Sequence, residues 1–408
     1  MKVAPAPHRS SSLASLAILG LFLAARAHAA VYVVNSNDDV DNGACDAVHC
    51  SLREAIEAAN VNAGPDDIHF NISPGGVQLI VPTSALPPLA DAVNLDATSQ
   101  PGYAGSPLIQ LRGSMAGATS GLEITAGSCT VKGLSIFDFA LNGILVRGPG
   151  LNVVSNNFLG IGAFGIGIGN AGNGIQITDS PNNRVKDNII SSNGDNGVLI
   201  QGGGATGNRV VGNKIGTAAS GSALGNTLNG VLVEVGASSN VIGDLPSGDE
   251  NTIGYNGLAG VAVTSGSRNS IRHNSIHSNA GLGIDLDVAG VTLDDGNDPD
   301  SGANMLQNYP LLRYAHQSGS FTLVDWRLNS TPLTSFTIEL FSNSTCDPSA
   351  HGEGQTYLGQ SSATTDASGF TPAVTVALPQ LPIGYYITAT ATDPGGNTSE
   401  FSLCEQVN

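Results

Sequence analysis

Between Gly143 and Leu286 the chain repeats one pattern six times, a glycine followed by alternating apolar positions. The copies are Gly143-Ile-Leu-Val146, Gly174-Ile-Gln-Ile177, Gly197-Val-Leu-Ile200, Gly230-Val-Leu-Val233, Gly260-Val-Ala-Val263 and Gly283-Ile-Asp-Leu286. Their glycines lie 31, 23, 33, 30 and 23 residues apart, so the shortest intervals fit one coil of a solenoid and the longer ones carry insertions. Positions one and three after each glycine are Ile, Val or Leu in every copy, and a period of two puts them on one face of a strand. Parallel strands about 4.8 Å apart would stack these residues into continuous core ladders.

A second pattern, Asn-x-(Val/Ile)-x-x-Asn-x-(Ile/Leu), falls between the first. It runs over Asn152 to Leu159, Asn183 to Ile190, Asn208 to Ile215 and Asn269 to Ile276; one copy departs, with Asn240 and Ile242 followed by Leu245 at the second Asn position. Recurrent Asn predicts tight turns, with Asn taking left-handed backbone angles and its amide bonding to the next coil.

Upstream, Cys50-Ser-Leu-Arg-Glu-Ala-Ile-Glu-Ala-Ala-Asn60 has Ser51 as an N-cap, Glu54 three residues on, and Leu52, Ala55, Ile56 and Ala59 on one face. This predicts an amphipathic helix over 51–60 lying across the first coil, where a solenoid otherwise exposes its core. Short alternating segments from Ile68 to Leu111 and from Gly121 to Phe137 read as the first coils. After Pro310 the period changes. Phe321-Thr-Leu-Val, Phe336 to Phe341, Ala373 to Ala377 and Tyr385 to Ala391 are alternating strands at sandwich spacing, which predicts an Ig-like β-sandwich over 316–408 with Trp326 in its core. The fold class expected is all-β: a parallel β-helix over 30–315 followed by that sandwich.

The chain has 408 residues, 41% of them hydrophobic, and 53 Gly without a three-residue period, so the glycines read as repeated turns and not as collagen. Lys2 and Arg9 precede an apolar run from Leu13 to Ala25 and the small-x-small site Ala27-His28-Ala29, which predicts a signal peptide over 1–29. Removing it takes away Lys2, Arg9 and Arg26 and no acid, moving the net charge from -18 to -21. That balance makes nucleic acid and anionic membranes poor partners and suits divalent cations or a solvated acidic exterior. No apolar span follows the leader, so the expected location is periplasmic, cell-surface or extracellular, with no transmembrane segment. Five cysteines in an exported chain suggest two disulfides. Cys45 and Cys50 would close a small loop, and Cys346 and Cys404 would tie the C-terminal domain; Cys129 reads as a buried apolar residue.

The segment Cys45 to Asn60, with Cys-Ser-Leu-Arg-Glu-Ala, resembles the N-terminal motif of bacterial exported CSLREA-type right-handed parallel β-helix proteins. Thr98 to Gly105, Gly216 to Asn226, Gly283 to Pro310, and the C-terminal runs Cys346-Asp-Pro and Ala391 to Phe401 are similar to them as well. The resemblance implies the right-handed coil, which the crossover preference also favours, and an Ig-like end module. It implies no particular activity, because that family is defined by architecture.

Chemistry has to come from the outward positions. Two residues after each glycine stand Leu145, Gln176, Leu199, Leu232, Ala262 and Asp285; four after it stand Arg147, Thr178, Gln201, Glu234, Thr264 and Asp287. The candidate catalytic acids are Glu234, Asp285 and Asp287, while His273 and His277 read as surface turn residues. Asp294, Asp295, Asp298 and Asp300 lie in an Asp/Asn/Gly loop rich in hard oxygen donors, a Ca²⁺ candidate or a solvated acidic turn. Fold relatives such as pectate lyases, polygalacturonases and alginate epimerases act on polysaccharides, yet their Asn-Thr-Asp, Arg-x-Pro-x-x-Arg and Asp-Pro-His signatures are missing here. The expected function is a binding, adhesin-like or structural role toward a polysaccharide or surface ligand. The alternative is a polysaccharide-active enzyme, a Ca-dependent lyase, glycoside hydrolase or epimerase, acting on acidic glycans.

Overall fold

The structure is a computed structural model that describes residues 1–4, 29–244 and 248–408. The apolar run of the expected signal peptide and Leu245 lie outside the described residues. Three long parallel sheets of nine, eight and seven strands run the length of a β-helix, each complete coil giving one strand to each sheet. One coil shows the order: Ile175–Thr178 in the seven-stranded sheet, Arg184–Lys186 in the nine-stranded sheet, Ile189–Ile190 in the eight-stranded sheet. The register is what the glycine pattern demands: Ile144, Ile175, Val198, Val231, Val261 and Ile284 lie side by side. All six are at most 1% exposed.

The glycine that opens each of these strands is required by stacking and not by its backbone angle. A Cβ on Gly197 would lie 2.6 Å from the carbonyl oxygen of Gly230, and one on Gly230 would lie 2.6 Å from that of Gly260. No side chain fits between coils at that corner.

Asparagines form four buried ladders. In one, Asn152, Asn183, Asn208, Asn240, Asn269 and Asn304 each present Oδ1 to the backbone N–H of the residue one coil earlier. A second uses Asn157, Asn188, Asn213, Asn251 and Asn274. A third uses Asn170, Asn193, Asn226, Asn256 and Asn279, and a fourth of opposite polarity links Asn142, Asn173, Asn196 and Asn229. Two details differ from the sequence reading. The irregular copy resumes at Asn251 after an insertion, so the ladder is unbroken. At several coils the left-handed residue is the one before the ladder Asn: Leu151, Asn156, Asn182, Asp187, Tyr255, Arg268 and His273 have φ between 52° and 61°, and at the last rung the Asn itself, Asn304, is left-handed at 48°. The Asn that follows keeps its amide free for the next coil, where an unpaired buried polar group would cost about 1–3 kcal/mol.

The helix Leu52–Val61 carries a capping box between Ser51 and Glu54 and places Leu52, Ala55, Ile56 and Ala59 in the β-helix core. Cys45–Cys50 and Cys346–Cys404 are disulfides and Cys129 is a buried free cysteine. At the other end a unit of two antiparallel sheets, three and four strands, begins with strand Leu311–Ser318 and packs around a fully buried Trp326.

This unit closes the last coil of the solenoid. Its Phe341 and Phe401 enter the β-helix core. Ile276 and Gly354 exchange both backbone hydrogen bonds at 2.9 Å, continuing the eight-stranded sheet. Side chains of this unit take further donors of the last coil: Glu339 accepts from His273 N–H, Glu353 from the N–H groups of Ser278 and Asn279, Glu400 from those of Leu286 and Thr292, Asn397 from Arg268 N–H and Thr398 from Ile271 N–H. The third Asn ladder therefore ends on Glu353, which also accepts from the Asn279 amide at 3.0 Å.

Candidate functional site

Strand alternation sends two rows of side chains out of the seven-stranded sheet. The inner row is Leu145, Gln176, Leu199, Leu232, Ala262 and Asp285, in register from strand to strand. Beside it run Thr178, Gln201 and Glu234, continued by Thr264 and Asp287 one strand at a time. A row apolar at Leu145, Leu199, Leu232 and Ala262 and polar at Gln176 and Asp285 thus lies against a hydrogen-bonding row. Gln176 and Gln201 both donate to Thr178 Oγ1 at 3.1 Å, and Asn142 donates to Gln176 Oε1 at 2.9 Å.

Two depressions follow these rows along the solenoid axis. One of about 430 Å³ lies over Leu145, Arg147, Gln176, Thr178 and Gln201. The other, about 760 Å³, lies over Leu232, Ala262, Thr264, Asp285 and Asp287 at the last three strands. Both are bordered on the same side by the corner residues that precede the strands, Asn142 and Asn173 in the first, Asn229 and Leu258 in the second. Arg147 forms an ion pair with Glu123 at 2.5 Å at the near end of the trough.

The larger groove brings Asp285 and Asp287 together. Asp285 is half-buried, its Oδ1 accepts from Gly290 N–H at 3.1 Å, and burial holds its carboxyl above the usual range in spite of that bond. Glu234 stands in the Asp287 row two strands away, about 9–10 Å along the sheet, and does not line the groove. A third carboxylate does line it: Asp347, with Pro348 and Ser349, reaches the groove from the C-terminal unit. Nothing in the spacing of the sequence joins Asp347 to Asp285; the neighbouring Cys346 was the signal, since its disulfide to Cys404 anchors this loop.

The acidic loop is arranged differently from a set of four equal ligands. Carboxylate oxygens of Asp295, Asp298 and Asp300 lie within 4.8 Å of one another. Oδ1 of Asp298 and Oδ1 of Asp300 are buried without a hydrogen-bond partner, while Asp298 Oδ2 accepts from Ser330 Oγ at 2.5 Å. Asp294 turns aside, its Oδ1 accepting from Tyr309 N–H at 3.0 Å. Burial, with neighbouring acids adding to it, pushes Asp294 up to about 7 and Asp298 to about 6. His273 packs edge-on against Tyr357 and His277 against Tyr255, which engages both rings in packing.

No family model matches the chain, and no curated protein matches it. Among solved structures it is similar to a periplasmic alginate epimerase, AlgG, at 16% identity over 54% of this chain and 47% of that one, TM-score 0.35. It is similar to the A-module of the Azotobacter vinelandii mannuronan C-5 epimerase AlgE4 at 15% identity over 61% and 78%, TM-score 0.38. It is also similar to the enzymatically active domain of bacteriophage CBA120 tailspike protein 2 at 10% identity over 91% and 76%, TM-score 0.31. The chain spans about half the length of AlgG.

Proposed function

We propose that this chain is an exported, polysaccharide-active β-helix protein that holds a linear glycan along the outward face of its seven-stranded sheet. One observation carries the reading: an apolar row and a hydrogen-bonding row run side by side along the solenoid and end at Asp285 and Asp287. Sugar rings present apolar faces and hydroxyl edges, and the two rows match those two kinds of surface. Asp285, desolvated at the floor of the groove, is the group set to donate a proton, with Asp287 or Asp347 as its counterpart. The second reading is binding without turnover. It is favoured by the absence of any Lys, Arg, His or aromatic side chain among the residues lining the larger groove.

Charge narrows the ligand. The two depressions are lined by Asp195, Asp285, Asp287 and Asp347, and their one base, Arg147, is already paired with Glu123. A uronate polymer would meet repulsion unless a cation intervened, so an uncharged or amino-sugar chain is the better fit. Calorimetric titration of residues 30–408 with glucosamine oligosaccharides, neutral β-glucans and xylan, and alginate tests this. Binding in that order, with reducing ends released and lost in Asp285→Asn, supports an enzyme. Binding without product in either protein supports a surface ligand-binder, and no binding to any glycan sinks both.

In the acidic loop, Asp295, Asp298 and Asp300 are the residues that would hold Ca²⁺, and their unpartnered buried oxygens support that reading. The cation would neutralise three carboxylates beside the last coil, a stabilising role. Terbium luminescence and the Ca²⁺ dependence of the unfolding midpoint test it; no change in either with millimolar Ca²⁺ removes the site. We further read the C-terminal unit as an Ig-like sandwich. Its two sheets carry seven strands, the central ones pairing in the order Ser335–Asn343, Tyr386–Thr392, Glu405–Gln406. The two disulfides fit export, and among the described residues no helix is long and apolar enough to cross a membrane.

A further inference from the structure

We propose that the C-terminal unit closes one end of the trough, so that the protein recognises the end of a glycan chain and not its middle. The inference rests on the glycan reading given above and adds to it the mode of binding.

Strand Ile284–Leu286 is the terminal strand of the seven-stranded sheet, so a groove that only followed the solenoid would open to solvent beyond it. It does not open. Gly283 stacks on Glu353 and Phe401, and Leu286 N–H is taken by Glu400, which puts the C-terminal unit directly on the face where the next coil would sit. From there Asp347, Pro348 and Ser349 reach the groove and line it together with residues of the last three strands. A polymer lying on the two outward rows would run into this loop just past Asp285 and Asp287.

The loop is built to stay in place. Cys346 is bonded to Cys404, Cys404 N–H donates to Ala350 O at 3.0 Å, and Gly352 N–H donates to Ser402 O at 3.1 Å. Within the loop Asp347 Oδ1 accepts from Ser349 N–H at 2.8 Å and Ser349 Oγ donates to His351 O at 2.7 Å. The segment 400–404 on the other side of this pairing is the same one that caps the last strand through Glu400. Wall and floor are therefore one rigid piece, and the acids sit where a terminal sugar would stop.

Recognition of an end and recognition of a middle differ in what they count. End binding scales with the number of chains, and mid-chain binding with the number of sugars. The test compares a glucosamine hexasaccharide with chitosan, and in parallel laminarihexaose with soluble β-1,3-glucan, by calorimetry on the full mature chain. For a polymer of about 100 sugars, end binding makes the affinity per sugar about tenfold or more weaker than that of the hexamer, while the affinity per chain stays within about threefold. Equal affinity per sugar for hexamer and polymer would overturn the inference and leave the glycan reading intact. No binding by either pair would overturn both. A variant with Asp347→Ala, Pro348→Gly and Ser349→Gly keeps Cys346 and Cys404 and opens the wall. Its polymer affinity per sugar is expected to rise toward the hexamer value with an unchanged unfolding midpoint; no rise with the midpoint unchanged would count against the wall.

Discussion

The two ends of the solenoid are closed by opposite means. At the N-terminal end the cover is local and apolar: the helix Leu52–Val61 follows the first strand and buries Leu52 and Ile56 to 1% and 0% exposure. Its polar bonds surround that apolar face: Arg53 pairs with Asp39 at 2.9 Å and donates to the Ala85 and Ser84 carbonyls, Asn60 bonds to Pro88 and Ala90, and the buried Glu54 closes the capping box. At the C-terminal end the cover is remote and largely polar. Two phenylalanines enter the core, but the open backbone donors are met by polar side chains of another folding unit, the carboxylates of Glu339, Glu353 and Glu400 together with Asn397 and Thr398; Glu339 and Glu400 are at most 2% exposed. An apolar lid needs only the right surface. A polar lid needs each group in register, and so it fixes the orientation of the unit that supplies it. That fixed orientation is what allows Asp347 to stand over the groove, and the helical end has no equivalent.

The comparison breaks first at the aromatic anchor. Phe401→Ala should cost about 3–5 kcal/mol and Ile56→Ala about 2–5 kcal/mol, each measured by urea denaturation. Phe401→Ala should in addition raise the polymer affinity per sugar toward the hexamer value, because the wall shifts with its anchor. Ile56→Ala, at the far end, should leave binding unchanged in the protein that remains folded. An equal effect on binding in both, or none in either, would mean that the wall is not positioned by this packing.

Next in size is Glu353→Ala, which strips the acceptor from Ser278 N–H, Asn279 N–H and the Asn279 amide at once. Each buried donor left unsatisfied costs about 1–3 kcal/mol, and water entering the gap recovers part of it, so a loss of about 2–3 kcal/mol is expected. Glu353→Gln keeps one acceptor oxygen and should recover about half. If the Ala variant costs under about 0.5 kcal/mol, the third ladder does not depend on its terminal carboxylate.

These lid carboxylates also give the two ends different pH dependence. Burial is the main cause that raises Glu339, Glu353 and Glu400, and Glu400 reaches about 7, with Asp285 nearby. A carboxyl raised on folding binds more protons in the native state than in the unfolded one between its two pKa values. Stability therefore falls as pH rises through that window, here from about 4.5 to about 7 for Glu400. Asp294 and Asp298 act in the same direction. At the helical end Glu54 is lowered and His49 raised, His49 chiefly by its bond to Asp38, so that end gains from charges already paired. The unfolding free energy should drop between pH 5 and pH 7.5 by on the order of 2 kcal/mol, and Glu400→Gln should flatten the slope. A slope unchanged in that variant would place the titration elsewhere.

The same contrast explains how much could be read from the chain. The helix was legible because Ser51, Glu54 and its four apolar residues lie within one short segment. The inward rows and two Asn ladders were legible because stacking imposes a period. The lid was not: Glu353 meets Asn279 across 74 residues and Glu400 meets Leu286 across 114, and no local pattern marks a glutamate for either role. The left-handed corners were misplaced by one residue for a physical reason. Stacking holds residues such as Leu151, Tyr255 and Arg268 in that conformation against their own preference, so residue type gave no sign of it. In the groove, Asp285 on the last strand and Asp287 just past its end lie close enough in the chain to be paired from the sequence, whereas Asp347 belongs to a loop brought there by the C-terminal unit.

The smallest effect belongs to the helix cap. Ser51 Oγ accepts from Glu54 N–H at 3.2 Å, and Glu54 returns a carboxylate oxygen to Ser51 N–H at 2.8 Å. Ser51→Ala removes one half of this box and leaves the other, so the cost should be about 1 kcal/mol, visible as a small shift in the denaturation midpoint. Glu54 also accepts from Asn42 N–H at 2.7 Å and sits 3.0 Å from His49, so Glu54→Gln should cost more than Ser51→Ala. Because the lid there is held mainly by apolar burial, neither change should expose the solenoid core or alter glycan binding. A Ser51→Ala cost above about 3 kcal/mol would show that this end, like the other, hangs on its polar contacts.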